Sequence, residues 1–413
     1  MATDEPKFTQ TTQNRFLALP PEIREQIYRI ILHPSANRVT LPDEYTHYDF
    51  RQALTVLLIN RQIHHEALKI FRELNCFVRI ETPWPEAQTH VATQGHVPMV
   101  AVGEKASRFT NHSLCVRIDA PEVPMLSGDE QAFLVLSGDL DKFCQMWFYS
   151  NLSHPGLNPQ LRLTLWLRDP FANSGEYEAR MTEARQKELL FPFGRVKDLR
   201  SVLIAGELKP SPAIKDEMAR LQAIPTPSAE HCLAEATRLK LEGNTALARN
   251  EYAATLEYYR QAWLAMHVVI KGRLRYIHAD AFFGRELREA PYTGKLGQAE
   301  RLILRVQLVA NTCAVYLKMK EWEECVFWGM RTINMLREAM GADERQEISP
   351  EDEAVLGFPA ADQMGKIYYR TAVAQKELDD KAEARRLLRV AAVYLPRDES
   401  VRKEIAACAL RLG

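Results

Sequence analysis

Residues 365 to 398 read GKIYYRTAVAQKELDDKAEARRLLRVAAVYLPRD, and two earlier 34-residue windows fall into register with them: 236 to 269 (ATRLKLEGNTALARNEYAATLEYYRQAWLAMHVV) and 306 to 339 (VQLVANTCAVYLKMKEWEECVFWGMRTINMLREA). Self-similarity at this period marks helix pairs that stack on one another to bury a common core. Ala372, Ala384 and Ala391 take the small-residue positions of the third window, Pro396 closes it, and Tyr368 lies near its start. Gly243, Ala246, Tyr259 and Ala262 answer them in the first window, and Tyr316, Trp322 and Cys325 in the second. Small residues matter because two helices approach closely only where the facing side chains are short. Thr255 and His267 break the pattern in the first window. With no Pro at 267, its second helix is expected to run on through AMHVVIKGRLRYI. Residues 399 to 412 are expected to form a helix that caps the last apolar face.

The three windows resemble tetratricopeptide repeats, and their spacers of 36 and 25 residues resemble those of large immunophilin-type co-chaperones. Within that register the chain is similar to the carboxylate-clamp subclass, which binds the C-terminal tails of seventy- and ninety-kilodalton heat-shock chaperones. The family's first repeat supplies Lys and Asn in a K-x-x-G-N string, here Lys240 and Asn244. Its second supplies Asn311 in VANTCAVYL, and its third supplies Lys366 and Arg370 in KIYYR. The chemistry suits these residue types, since a tail ending in Asp offers two carboxylates that need cationic and amide donors. Spacings of four put Lys240 with Asn244, and Lys366 with Arg370, on common helix faces. The resemblance implies a non-enzymatic adaptor with no cofactor and no metal.

The chain has 413 residues, enough for two or three domains, and 53 Lys+Arg against 54 Asp+Glu leave a formal charge of -1. Such a balance offers no broad basic field for nucleic acid or an anionic membrane. The first residues lack a secretory apolar stretch, and no segment is expected to approach a membrane span, so a cytoplasmic or nuclear protein is expected. Seven cysteines lie scattered without a CxxC pair or a Cys/His cluster, and buried reduced thiols are the expectation.

Near the start, FLALPPEIREQIYRIIL (16 to 32) places Ile23, Ile27, Ile30 and Ile31 at helical spacing behind Pro20 and Pro21, which predicts an amphipathic helix. A second helix is predicted over LTVLLINRQIHHEALKIFRELN (54 to 75), followed by a strand at CFVRI. The string Leu19-Pro20-Pro21-Glu22-Ile23-Arg24 with Ile27 and Tyr28 resembles the start of the F-box-like domain common in fungal proteins. That resemblance implies docking on the Skp-type adaptor of a cullin ubiquitin ligase, with a second domain choosing substrate. Residues 83 to 107 read as mostly loop. Strands are predicted at LCVRI (114), LRLTLWL (161) and SVLIA (201), with helices near 139 to 149 and 176 to 190, together a small α/β layer.

The expected architecture is mainly α: a disordered tail (1 to 15), an F-box-like domain (16 to 82), an α/β region (83 to 208), a Pro-rich linker (209 to 230) and a tetratricopeptide α-solenoid (231 to 413). His64, His65 and Glu66 lack a further ligand at metal spacing, because adjacent residues point to different helix faces. Tyr258, Tyr259 and Trp263 read as repeat packing, and Asp139 with Asp141 has no catalytic motif around it. An enzyme hidden in the middle region would need a polar pocket lined by the strands at 114, 161 and 201. No phosphate-binding Gly loop or nucleophile elbow occurs.

Overall fold

A computed structural model of the chain describes residues 15–41, 45–123, 131–171, 181–342 and 346–408. The predicted tail (1 to 15, but for Arg15), the start of the helix predicted at 176 and the end of the one predicted to 412 lie outside them. The chain is mainly α and divides into two units, Met1–Thr226 and Pro227–Gly413.

In the first unit, Pro21 opens α1 (Pro21–Leu32), where its missing N–H costs nothing. Asn60 caps α2 (Arg61–Leu74) by accepting from the Ile63 N–H. The two helices pack through Tyr28, Leu32, Ile63, Ala67 and Ile70. The isoleucine stripe of α1 does not face this core: Ile23 and Ile31 are exposed, and Ile30 is 69% exposed. The cause is Arg24, which is buried and donates through Nε (2.9 Å) and Nη2 (2.6 Å) to both oxygens of Glu66. Arg24, Tyr28 and Leu32, spaced by four, therefore form the inward face. The Tyr28 hydroxyl also donates to Glu66 at 3.0 Å, and these bonds, Arg24 first, hold the Glu66 carboxyl down at about 2. His64 and His65 bond the Leu57 and Arg61 carbonyls, as satisfied helix residues.

Strands β1 (Arg38–Thr40) and β2 (Thr46–Tyr48) make an antiparallel pair. The main sheet contains β3 (Phe77–Thr82), β4 (Ala101–Val102), β5 (Leu114–Asp119), β6 (Gln131–Leu136), β7 (Arg162–Leu167) and β8 (Ser201–Gly206), in the order β4-β6-β3-β5-β7-β8. It is mixed, with β3–β5 and β7–β8 parallel and the other pairs antiparallel. The strands predicted at 114, 161 and 201 are β5, β7 and β8; β6, reading QAFLVL, was not anticipated. Nor does the boundary expected at 82 separate structures, because β3 lies inside the sheet with Ile80 opposite Val116 and Phe133. Residues 83 to 107 are not mostly loop: α3 (Ala87–Thr93), β4 and α4 (Glu104–Ser107) lie there. Their short lengths leave no sustained period for a sequence reading to detect. The expected linker holds α7 (Pro212–Ala223), whose Ile214 and Met218 join α5 (Leu140–Ser153) and α6 (Glu183–Leu190) in the core of this sheet.

The second unit is built from three antiparallel helix pairs: α8 (Ala229–Ala248) with α9 (Tyr252–Ala265), α11 (Gly297–Met319) with α12 (Trp322–Ala339), and α14 (Ala361–Glu377) with α15 (Lys381–Tyr394). Each pair turns at a residue in left-handed conformation, Asn250 (φ 61°), Lys320 (φ 61°) and Asp379 (φ 67°). All three stand two residues before the second helix, at one common place in the 34-residue windows. The helices meet at glycines. A Cβ on Gly243 would stand 2.4 Å from the Tyr259 ring, and one on Gly329 would stand 1.8 Å from Thr371 Oγ1. The last helix, α16 (Glu399–Cys408), packs on α15 and buries Val401.

The second helix of the first pair does not run on as expected. It stops at Ala265, His267 turns left-handed (φ 57°), and β9 (Val268–Lys271) and β10 (Leu274–Ile277) form a hairpin before α10 (Asp280–Phe283). Arg301, fully buried on α11, holds this insertion by donating to the carbonyls of Met266 (3.0 Å), His267 (3.3 Å) and His278 (2.6 Å) and to Asp280 (2.9 Å). These donors satisfy main-chain acceptors that a continuing helix would have used internally. Between the second and third pairs, α13 (Pro350–Glu353) lodges the buried Glu353 against Arg337 (2.5 Å) and the Tyr368 hydroxyl (2.8 Å).

Although no segment was expected to approach a membrane span, α11 is long and apolar enough to cross one; it nevertheless buries Arg301 and packs against α8, α9, α12 and α14. All seven cysteines are buried free thiols. We expect Gly329→Ala to destabilise the chain by about 1–3 kcal/mol, the cost of forcing a methyl into a filled helix contact. Denaturant unfolding measures it, and an unchanged midpoint would show that α12 and α14 have room to spare.

Candidate functional site

Lys240 and Asn244 lie one turn apart on α8, Asn311 lies on α11, and Lys366 and Arg370 lie one turn apart on α14. Each comes from the first helix of its pair, and all five are half-buried. The Asn311 Nδ2 donates to Asn244 Oδ1 at 2.7 Å, and the Tyr259 hydroxyl donates to the same oxygen at 2.8 Å. With its carbonyl oxygen doubly engaged, Asn244 keeps its amide hydrogens for another acceptor. Lys240 Nζ donates to the Gln307 side chain, one turn before Asn311. Arg370 donates to the Ala310 carbonyl at 2.5 Å, beside Asn311. The Tyr259 phenol feels the charge of Arg370. Lys240, Asn244, Asn311 and Arg370 are thus brought together. Among the described residues, no hydrogen bond or ion pair joins Lys366 to the other four.

Electrostatics mark the cluster more sharply than its geometry does. Burial pushes the Lys240 ammonium below its usual range, and burial likewise pulls Arg370 down, with nearby thiols and phenols only partly opposing it. Among the described residues, no carboxylate pairs with Lys240, Lys366 or Arg370. Cations removed from water without a counter-ion are costly, so an incoming carboxylate would meet donors already aimed and incompletely solvated.

Sequence reasoning missed Tyr259 and Gln307. The Tyr259 ring packs against Gly243, as repeat packing requires, while its hydroxyl fixes Asn244. Gln307 could have been found, because it stands four residues before Asn311 on one helix face. Elsewhere, an apolar cavity of about 130 Å³ beside the sheet of the first unit is walled by Ile80, Ile118, Phe133 and Phe143. Asp139 is a structural acceptor, taking bonds from Tyr48 (2.7 Å) and Lys142 (2.9 Å). Comparison with protein-family models, curated proteins and solved structures found no match for the chain.

The direction of these shifts sets a pH dependence. A bound carboxylate raises the depressed Lys240 pKa, so binding takes up protons once the free site begins to lose its own. Affinity for an acidic peptide should stay level through neutrality and fall as pH rises toward the lowered Lys240 value, before the 10.5 of an ordinary lysine. At the acid end it should fall through about pH 4 as the peptide carboxylates protonate. Calorimetric titration across pH 3–11 reads both limbs, and affinity still level at pH 11 would remove Lys240 from the site.

Proposed function

We propose that the second unit is a tetratricopeptide-type array that captures an acidic peptide C-terminus, the tail of a seventy- or ninety-kilodalton heat-shock chaperone, and that the chain is a non-enzymatic adaptor. The observation that carries this reading is the junction of Asn244 and Asn311 at 2.7 Å, flanked by Lys240 and Arg370 without a carboxylate partner among the described residues. A chain-terminal Asp presents a main-chain and a side-chain carboxylate, matching amides at the centre and cations on either side. The turn residues Asn250, Lys320 and Asp379, at one place in each window, support the register from which the five positions were drawn.

The test is titration of the full chain with a peptide ending Met-Glu-Glu-Val-Asp, beside the same peptide amidated at its C-terminus. Saturable binding that disappears on amidation is expected. Arg370→Ala or Lys240→Ala should each cost about 2–5 kcal/mol, the range for truncating one member of a desolvated charge pair. Unchanged affinity in both variants would sink the clamp.

A second reading draws support from the first unit. Ile23, Ile30 and Ile31 form an exposed stripe on α1, the helix that begins within the string resembling an F-box start and continues past it. An apolar stripe left in solvent suits docking on a Skp-type ligase adaptor. Copurification with that adaptor, lost on Ile30→Asp, is the expected outcome; adaptor recovery equal to that of a non-binding control would set the ligase reading aside.

A further inference from the structure

Three arginines of the second unit converge, and among the described residues none of them makes an ion pair with a carboxylate, although the Asp280 charge reaches Arg305. Arg275 on β10 and Arg305 on α11 both direct Nη2 to the sulfur of Met335 on α12, at 3.8 and 3.9 Å. Arg331, one turn before Met335, donates to the Arg273 carbonyl at 2.7 Å, two residues from Arg275. The Nε atoms of Arg275 and Arg305 are buried with no hydrogen-bond partner. Nearby carboxylates are already engaged, Glu324 by Arg273 (2.7 Å) and Asp280 by Arg301 (2.9 Å). Burial first, then repulsion from Arg305 and Arg331, pushes Arg275 down to about 9. A soft sulfur shared by two guanidinium groups does little to offset such crowding, whereas an anion bridging them would.

The arginine cluster adjoins a small aromatic pocket through Trp263, a wall of that pocket over which Arg275 lies. The pocket's volume is about 180 Å³, and its walls include Tyr259, Trp263, Val309, Thr312, Tyr316 and Trp328. Arg275 lies over the Trp263 ring at 5.6 Å. Arg305 stands one turn before Val309 on α11, and Arg331 one turn after Trp328 on α12. An apolar cavity of roughly 150 Å³ is enough to hold one benzene ring. The Tyr259 ring is a wall of this pocket while its hydroxyl points to Asn244, so the two sites differ in their charged residues.

We propose that Arg275, Arg305 and Arg331 bind the phosphate of an aryl phosphate monoester whose ring enters the Tyr259, Trp263, Tyr316 and Trp328 pocket. Three guanidinium groups call for more than the single charge of a carboxylate. A phosphate monoester carries about −1.5 to −2 at neutral pH and offers three acceptor oxygens to planar N–H forks. A ring-sized pocket beside it selects the ester over the free ion. Two sources share this chemistry, a free aryl phosphate and a phosphotyrosine side chain.

Calorimetric titration of the full chain with phenyl phosphate tests the site. One saturable equivalent is expected, at least tenfold tighter than inorganic phosphate and at least tenfold weakened by Arg275→Met and by Arg305→Met. Met keeps the apolar stem of each side chain while removing a crowded cation, and circular dichroism confirms that each variant is folded. A short peptide with central phosphotyrosine separates the sources: affinity within threefold of phenyl phosphate assigns the group to a polypeptide, and tenfold weaker binding assigns it to a free ester. The proposal is overturned if the folded chain gives no saturable binding, if inorganic phosphate binds equally well, or if binding survives both substitutions.

Discussion

The second unit depends on close helix approach at positions with no side chain to spare. Gly243 faces the Tyr259 ring, Gly329 faces Thr371, and Gly365 faces Tyr394 and Leu395 at distances no Cβ could share. Such contacts set two helices of a pair, or neighbouring pairs, near their minimum separation. Within the array so packed, short amide side chains on α8 and α11 touch at 2.7 Å, and Arg370 of α14 reaches the backbone of α11. Wider spacing would leave the same polar residues as separate, fully hydrated groups. The candidate site is therefore a consequence of packing, though none of its functional atoms belongs to the core.

Buried charges then fix the segments that interrupt the helix pairs. Arg301 gathers three carbonyls and Asp280, which ties the hairpin insertion to α11. Glu353 does the corresponding work between the second and third pairs, held by Arg337, Arg386 and Tyr368. In the first unit Arg24 and Glu66 decide which face of α1 turns inward. Each is a multiply bonded ion pair, the form in which a charge can be buried without a prohibitive desolvation cost. By contrast, Lys240, Arg370 and the trio of Arg275, Arg305 and Arg331 sit in or near the interior on neutral acceptors, with no carboxylate among the described residues paired to them. The contrast between completed and uncompleted charges within one unit separates structural residues from candidate binding residues.

Much of this was legible in one sequence because it is periodic. The 34-residue windows located the helix pairs, and the left-handed turns at Asn250, Lys320 and Asp379 fall at a common place within them. Strands β5, β7 and β8 stood out through their β-branched and aliphatic runs. What was illegible lacked a period or ran against one. The isoleucines of α1 gave the stronger stripe, yet a single ion pair turned Arg24, Tyr28 and Leu32 inward instead. The run AMHVVIKGRLRYI reads equally as helix or strand, and only Arg301, thirty residues later, makes it a hairpin.

By itself the sequence determined the 34-residue spacing of the three windows, the small residues within them and the identities of five polar residues, because each is a local property of spacing and side-chain size. Tertiary structure alone decided that Asn244 and Asn311 would touch, that Tyr259 would orient them, that Lys240 and Arg370 would meet no carboxylate among the described residues, and that three arginines from a hairpin and two helices would converge. Those facts depend on desolvation and on distances between segments far apart in the chain, quantities that no spacing along one sequence contains.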